Sequence, residues 1–189
     1  MKLFLIRHGE TITSGQTYAG RSDVPLTAHG RAQAIEVAND LSSEAISIIL
    51  TSPLSRALET ARPLARQLCL TPIETPTLME FDFGDYEGRD KSSLGLNLRK
   101  NHAQTPVPGG ESLYDVWDRA GEVARFLTNR REAVGAVVGH FWINRLLWGR
   151  LNGVSFDAAC KDRTYRPRTG SCVAFTLPRT PVPLKSEGV

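Results

Sequence analysis

Short apolar runs separated by longer amphipathic stretches set the pattern of this chain. Leu3 to Ile6, Ile46 to Leu50 and Val134 to Val138 lack polar alternation, Ser47 being the one interruption. Such runs predict strands buried on both faces. Ser171 to Leu177 predicts a final strand. Between the strands the period changes. Thr27 can cap a helix in which Ala32, Ile35, Ala38 and Leu41 recur, and Ser52 followed by Pro53 predicts a helix start that runs to about Leu68. A further helix is expected from about Ser112 to Arg130, with Leu113, Val116, Trp117, Ala120, Ala124 and Leu127 on one face, and another from Phe141 to Leu151. Alternation of strand and helix predicts an α/β fold of three layers, a mostly parallel central sheet with helices on both faces. Residues 88 to 110, rich in Gly, Pro, Ser, Asn and basic residues, have weak periodicity and are expected to form an excursion over the site. With no internal repeat, residues 1–177 read as one domain, and 178–189, which include Pro178, Pro181 and Pro183, as a loose tail.

Three predicted strands end in chemistry. The first runs into Arg7-His8-Gly9-Glu10, the second leads to Arg56 in the first turns of a new helix, and the third runs into Gly139-His140. Ligands of open α/β sheets bind outside the carboxyl ends of the strands, so Arg7, His8, Arg56 and His140 are expected at one mouth. Two histidines and two arginines converging there suit a dianion, phosphate above all. Taken singly, each has a plainer role: Arg56 could pair with Glu59 or Glu10, and His140 could cap its strand.

Composition narrows the class. The chain has 189 residues, a net charge of +3 and three cysteines, Cys69, Cys160 and Cys172, without metal-type spacing. That length can bury about 70% of the unfolded chain's surface, and an odd set of thiols points to a reducing compartment rather than a disulfide framework. The apolar run before Arg7 is too short for a signal-peptide core and no stretch approaches a membrane span, so a cytoplasmic protein without a membrane partner is expected. The small net charge gives no footprint for nucleic acid. Basic residues do gather between Arg145 and Arg168, with Arg150, Lys161, Arg163 and Arg166 between them against Asp157 and Asp162. They form either a solvated loop or a rim that attracts an anion.

The ordered motifs resemble the histidine phosphatase superfamily, also called phosphoglycerate mutase-like, in its broad-specificity or α-ribazole phosphatase branch. The likeness rests on Arg7 to Thr11, Gly20 to Thr27 with Gly30, Ser52 to Ala57 with Glu59-Thr60-Ala61, Glu80 to Gly88, Pro108 to Ser112, and Gly139-His140 with Arg145. It implies a phosphoglycerate mutase-like fold and a phosphomonoesterase that needs no metal and no cofactor. His8 would attack phosphorus, Arg7, Arg56 and His140 would hold the equatorial oxygens, and Glu80 would protonate the leaving group. Asp82, Asp85 and Glu87 crowd Glu80, so the acid could be one of them.

Departures from the family pattern fall near the expected pocket. Ser14 stands where many members have asparagine, and Phe141 follows His140 where glycine is usual. Gly20 and Lys91 are further possible substrate contacts, Lys91 lying where mutases place a substrate-binding lysine and Arg99-Lys100 able to serve a carboxylate. His29 and His102 are expected at the surface or in loops, and Trp117, Trp142 and Trp148 in the core. Two other functions compete: a phosphoglycerate mutase, disfavoured by the short cover over the site, and a binding protein for phosphorylated ligands, which would need neither nucleophile nor acid. A small phosphorylated molecule is the expected partner in every case. Oligomeric state is left open.

Overall fold

The computed structural model describes residues 1–130, 134–162 and 165–177. Arg163 and the expected tail, 178–189, lie outside them. One five-stranded sheet forms the centre, built from β1 (Lys2–Arg7), β2 (Ile48–Thr51), β3 (Ile73–Glu74), β4 (Val134–Gly139) and β5 (Cys172–Thr176) in the order β3-β2-β4-β1-β5. The first four are mutually parallel, and β5 runs antiparallel to β1.

Side chains alternate across a strand, so one apolar run supplies two cores. Leu3, Leu5, Leu50 and Val137 face a core closed by α5 (Leu113–Thr128) and α6 (Phe141–Leu151). Phe4, Ile6, Ile49, Ala136 and Val138 face the opposite core, closed by α1 (Ala28–Asp40) and α2 (Ser55–Gln67). The three-layer reading therefore stands. The 88–110 excursion carries two single-turn helices that its weak periodicity did not announce, α3 (Lys91–Leu94) and α4 (Leu98–Asn101), and α7 (Phe156–Lys161) follows α6.

Two sequence expectations need correction. On α1 the buried positions are Gly30, Ala34, Val37 and Ala38, whereas Ala32 is exposed and Ile35 is 51% exposed. A strict three-residue spacing drifts around a helix of 3.6 residues per turn; the true stripe mixes steps of three and four. At α2 the start comes later than Ser52-Pro53 proposed: Leu54 occupies the cap position without a side-chain bond. Arg56 still falls in the first turn.

The helix after β1 covers one face and the helix after β4 the other, although β1 and β4 are neighbours. Such a switch opens a crevice beyond the carboxyl ends of the two strands. His8 and His140 are the first residues past those ends.

Candidate active site

Ladder bonds continue past the strand ends to the residues that border the crevice. His8 N–H donates to Gly139 O at 3.0 Å, and Ser52 N–H donates to Val138 O at 3.0 Å. The His8 and His140 rings lie with centroids 5.0 Å apart, tilted by 56°. His8 Nδ1 is 2.7 Å from Gly9 O. A carbonyl can only accept, so Nδ1 carries the proton and Nε2 keeps its lone pair. Burial, reinforced by Arg7 and then Arg56, holds His8 well below the ordinary histidine pKa, which keeps the ring neutral.

Arg56 is gripped on three sides. Its Nε–H donates to His140 Nδ1 at 3.2 Å, Nη1–H to Ser22 O at 2.8 Å and Nη2–H to Gly20 O at 2.6 Å. His140 Nδ1 therefore accepts, and Nε2–H donates to Ser52 Oγ at 2.8 Å. Burial, then Arg56, lowers the His140 pKa well below its usual range. His140 is wholly buried and lies behind the wall of the cavity, where both ring nitrogens are engaged. Ser52, expected to cap α2, orients this ring, and its Oγ also accepts from Leu54 N–H at 3.3 Å just ahead of the helix.

Arg7 holds one branch on Pro167 O, Nη1 to oxygen 2.9 Å, and its guanidinium lies 5.4 Å from the centre of the Phe141 ring. Its Nε–H is buried without a partner. Burial lowers the pKa of both Arg7 and Arg56, with Glu80 opposing the shift in each. Glu80 sits at the amino end of α6. Oε1 accepts from Phe81 N–H at 2.9 Å and Trp142 N–H at 3.0 Å, and Oε2 accepts from Phe141 N–H at 2.9 Å. A carboxylate there also meets the positive end of the helix dipole.

A cavity of about 870 Å³ opens over these groups. Arg7, His8, Arg56 and Glu80 line it, as do Ser14, Gly20, Lys91 and Phe141. Ser14 Oγ also closes a turn, accepting from Thr11 N–H at 2.9 Å. The 88–110 excursion covers one side through Lys91 and the stretch Gly95 to Arg99. Lys91 Nζ lies 5.7 Å from the centre of the Tyr18 ring, and burial lowers its pKa, followed by repulsion from Arg7.

Other sequence expectations are redirected. Trp142, expected in the core, lines the cavity and carries Arg99 on its face at 5.6 Å. Of the basic stretch from Arg145 to Arg168, only Arg168 reaches the cavity among the described residues. Arg145 is wholly buried, its guanidinium donating to the carbonyls of Tyr165, Cys160 and Asp162. Glu59 pairs with Arg31 at 3.6 Å, and Glu10 accepts from Thr27 Oγ1 at 3.0 Å, so neither takes Arg56.

Sequence reasoning missed the frame behind Glu80. Arg119 donates to both oxygens of Glu111 at 3.0 Å and to the carbonyls of Thr77, Met79 and Glu80. Glu111 lay within the Pro108 to Ser112 motif, but only the folded chain shows what it holds. No group of three or more His, Cys, Asp or Glu side chains able to hold a metal occurs among the described residues.

Comparison with known proteins gives the lineage. A model of the histidine phosphatase superfamily (branch 1) matches residues 3–173. The chain belongs to that superfamily. Among solved structures, a putative α-ribazole-5′-P phosphatase from Escherichia coli superposes with a TM-score of 0.82 at 30% identity, over 92% of this chain and 89% of that one. A mycobacterial glucosyl-3-phosphoglycerate phosphatase superposes with a TM-score of 0.74 at 26% identity, over 84% and 82%. By sequence, this superfamily member is 40% identical over 127 residues to a probable phosphoglycerate mutase of Yersinia enterocolitica, covering 63% of this chain and 59% of that protein. It thus aligns with about three fifths of that relative's length. No helix of the described residues is long and apolar enough to cross a membrane.

Proposed function

We propose that this histidine phosphatase superfamily member is a phosphomonoesterase that acts through a phosphohistidine on a small phosphorylated metabolite. The observation that carries the reading is the tautomer of His8: Nδ1–H is committed to Gly9 O, which leaves Nε2 unprotonated beside two arginines. Nε2 attacks phosphorus, a P–N bond forms, and the ester P–O bond breaks. Glu80 enters this step as the carboxylic acid and gives its proton to the departing alkoxide. Water then attacks the phosphohistidine, gives its proton to the same carboxylate, and releases inorganic phosphate with His8 restored. Arg56 and the unpartnered Arg7 Nε–H are suited to the phosphoryl oxygens. To reach a phosphoryl oxygen, His140 would have to exchange one of its present bonds. Turnover of a ³²P-labelled phosphomonoester quenched in base should trap base-stable, acid-labile label on His8, and His8→Ala should abolish both label and activity. A fully active His8→Ala enzyme would end this mechanism.

A second reading, a phosphoglycerate mutase, draws support from Lys91 and Arg99 in the cavity wall and from the names of the sequence relatives. Against it stands the cover of about twenty residues between Gly88 and Pro108, which leaves water a way in. With 3-phosphoglycerate and a bisphosphoglycerate primer, phosphate release should exceed formation of 2-phosphoglycerate; dominant isomerisation would transfer the assignment to the mutase.

A further inference from the structure

Glu87 crowded the acid in sequence, only seven residues from Glu80, yet it takes no part in the cavity wall. Both its oxygens are occupied by one loop. Oε1 accepts from Arg21 N–H at 2.6 Å, and Oε2 accepts from Ser22 N–H at 2.9 Å and from the Ser22 hydroxyl. The other side of that loop holds Arg56, through Gly20 O and Ser22 O. Arg21 N–H and Gly20 C=O belong to a single peptide group. In a trans peptide they point in opposite directions. The Gly20–Arg21 peptide is therefore a bridge, with the Glu87 carboxylate on its N–H and the Arg56 guanidinium on its C=O. Rotation of that one peptide would break both bonds together, and each charge polarises the peptide in the sense that strengthens the other bond.

Glycine is required for the approach. Gly20 has φ +49°, and a Cβ there would lie 2.0 Å from Glu87 Oε1. The loop is tied at its far end as well, where Asp23 Oδ1 accepts from Ser55 N–H at 2.8 Å, the first residue of α2. Arg56 Nε–H, finally, is aimed at His140.

We propose that Glu87 is a positioning residue, which fixes the Gly20–Ser22 loop so that its carbonyls orient the Arg56 guanidinium toward the phosphoryl oxygens. The function rests on the anion site proposed above, but its test need not involve turnover. Inorganic phosphate titrated calorimetrically into the full chain reads the grip of Arg56 on an anion whatever the enzyme hydrolyses. Glu87→Ala should weaken phosphate binding at least tenfold and lower kcat/KM for a phosphomonoester by about 10²-fold, the loss expected of a misplacement near 1 Å. Glu87→Gln keeps an acceptor for Arg21 N–H and should recover most of the loss.

The decisive comparison is made in an Arg56→Ala background. If Glu87 acts through Arg56, Glu87→Ala there should change phosphate affinity and kcat/KM by less than twofold. Losses that multiply in the double variant would overturn the proposal, as would a Glu87→Ala protein that binds phosphate like the wild type. Should Glu87→Ala not fold, Glu87→Gln in the two backgrounds gives the same comparison, at a few-fold loss against none. Absence of turnover by a wild type that still binds phosphate would count against the phosphomonoesterase alone.

Discussion

At the scale of single residues, the site is a set of neutral rings and fixed charges whose protonation is decided by burial. His8 and His140 are held below the usual histidine range by desolvation and neighbouring arginines. An unfolded histidine titrates near pH 6.5, so as pH falls below about 6.5 the unfolded chain takes up protons that the native rings refuse. The unfolding free energy should therefore rise with pH in that window. Denaturant melts from pH 5 to 7 should show a shallower slope in His140→Gln than in wild type, and equal slopes would contradict the buried neutral state. Glu80 invites a second measurement. Glu80→Gln would place an amide N–H₂ against the backbone N–H groups that the carboxylate now accepts. That structural loss falls equally on all substrates. Loss of the acid falls only on poor leaving groups, where general acid catalysis is worth about 10² to 10⁴. In single-turnover bursts the variant should be slowed by at least tenfold more on an alkyl phosphate than on p-nitrophenyl phosphate. Equal slowing would leave Glu80 with a structural role, and a leaving-group dependence in Glu87→Gln would make Glu87 the acid.

At the scale of elements, strands and helices were read well wherever local pattern coincided with burial. Ser112 was expected near a helix start, and it caps α5 through a box in which Ser112 Oγ accepts from Asp115 N–H at 3.2 Å while Asp115 Oδ2 accepts from Ser112 N–H at 2.8 Å. Ser112→Ala removes that acceptor from a residue only 1% exposed. It should cost about 1 kcal/mol, a fall in Tm of about 2–4 °C for a chain of this size, read by differential scanning calorimetry. No change in Tm would mean that water replaces the cap. Where the chain relied on tertiary contacts, local pattern failed. α6 begins at Phe141 with its amino end capped by Glu80, a residue 61 positions away, and no local signal could announce that bond. The short helices α3 and α4 owe their place to caps at Asp90 and Asn97, side chains that in sequence read equally well as loop.

At the scale of the whole molecule, charge is distributed unevenly over a nearly neutral chain. The cavity wall carries Arg7, Arg56, Lys91, Arg99 and Arg168 against Glu10 and Glu80, while the net charge of the chain is only +3. A concave basic surface focuses its field on an approaching dianion, and salt weakens that field as the Debye length shortens from about 10 Å at 0.1 M to about 3 Å at 1 M. kcat/KM for a dianionic phosphomonoester should therefore fall several-fold between low and high ionic strength, with kcat affected much less. Steady-state kinetics across a sodium chloride series checks this, and a flat profile would show that the basic wall does not steer substrate.

The sequence by itself determined the strand ends that carry Arg7, His8 and His140, the placement of Arg56 in a first helical turn, and the sandwich of one sheet between two helical layers. Those features follow from short-range rules: apolar runs bury as strands, and the residue after a strand of an open sheet lies at its mouth. Tertiary structure alone decided how the groups are held. The rotation of Arg56 rests on carbonyls 34 and 36 residues distant, and the pose of Glu80 on Arg119 and the start of α6. It also turned Trp142 into the cavity and sent Arg145 into the core. Hydrogen bonds between segments remote in sequence leave no periodic trace, because a carbonyl or a carboxylate finds its partner only when the sheet has brought the strand ends together.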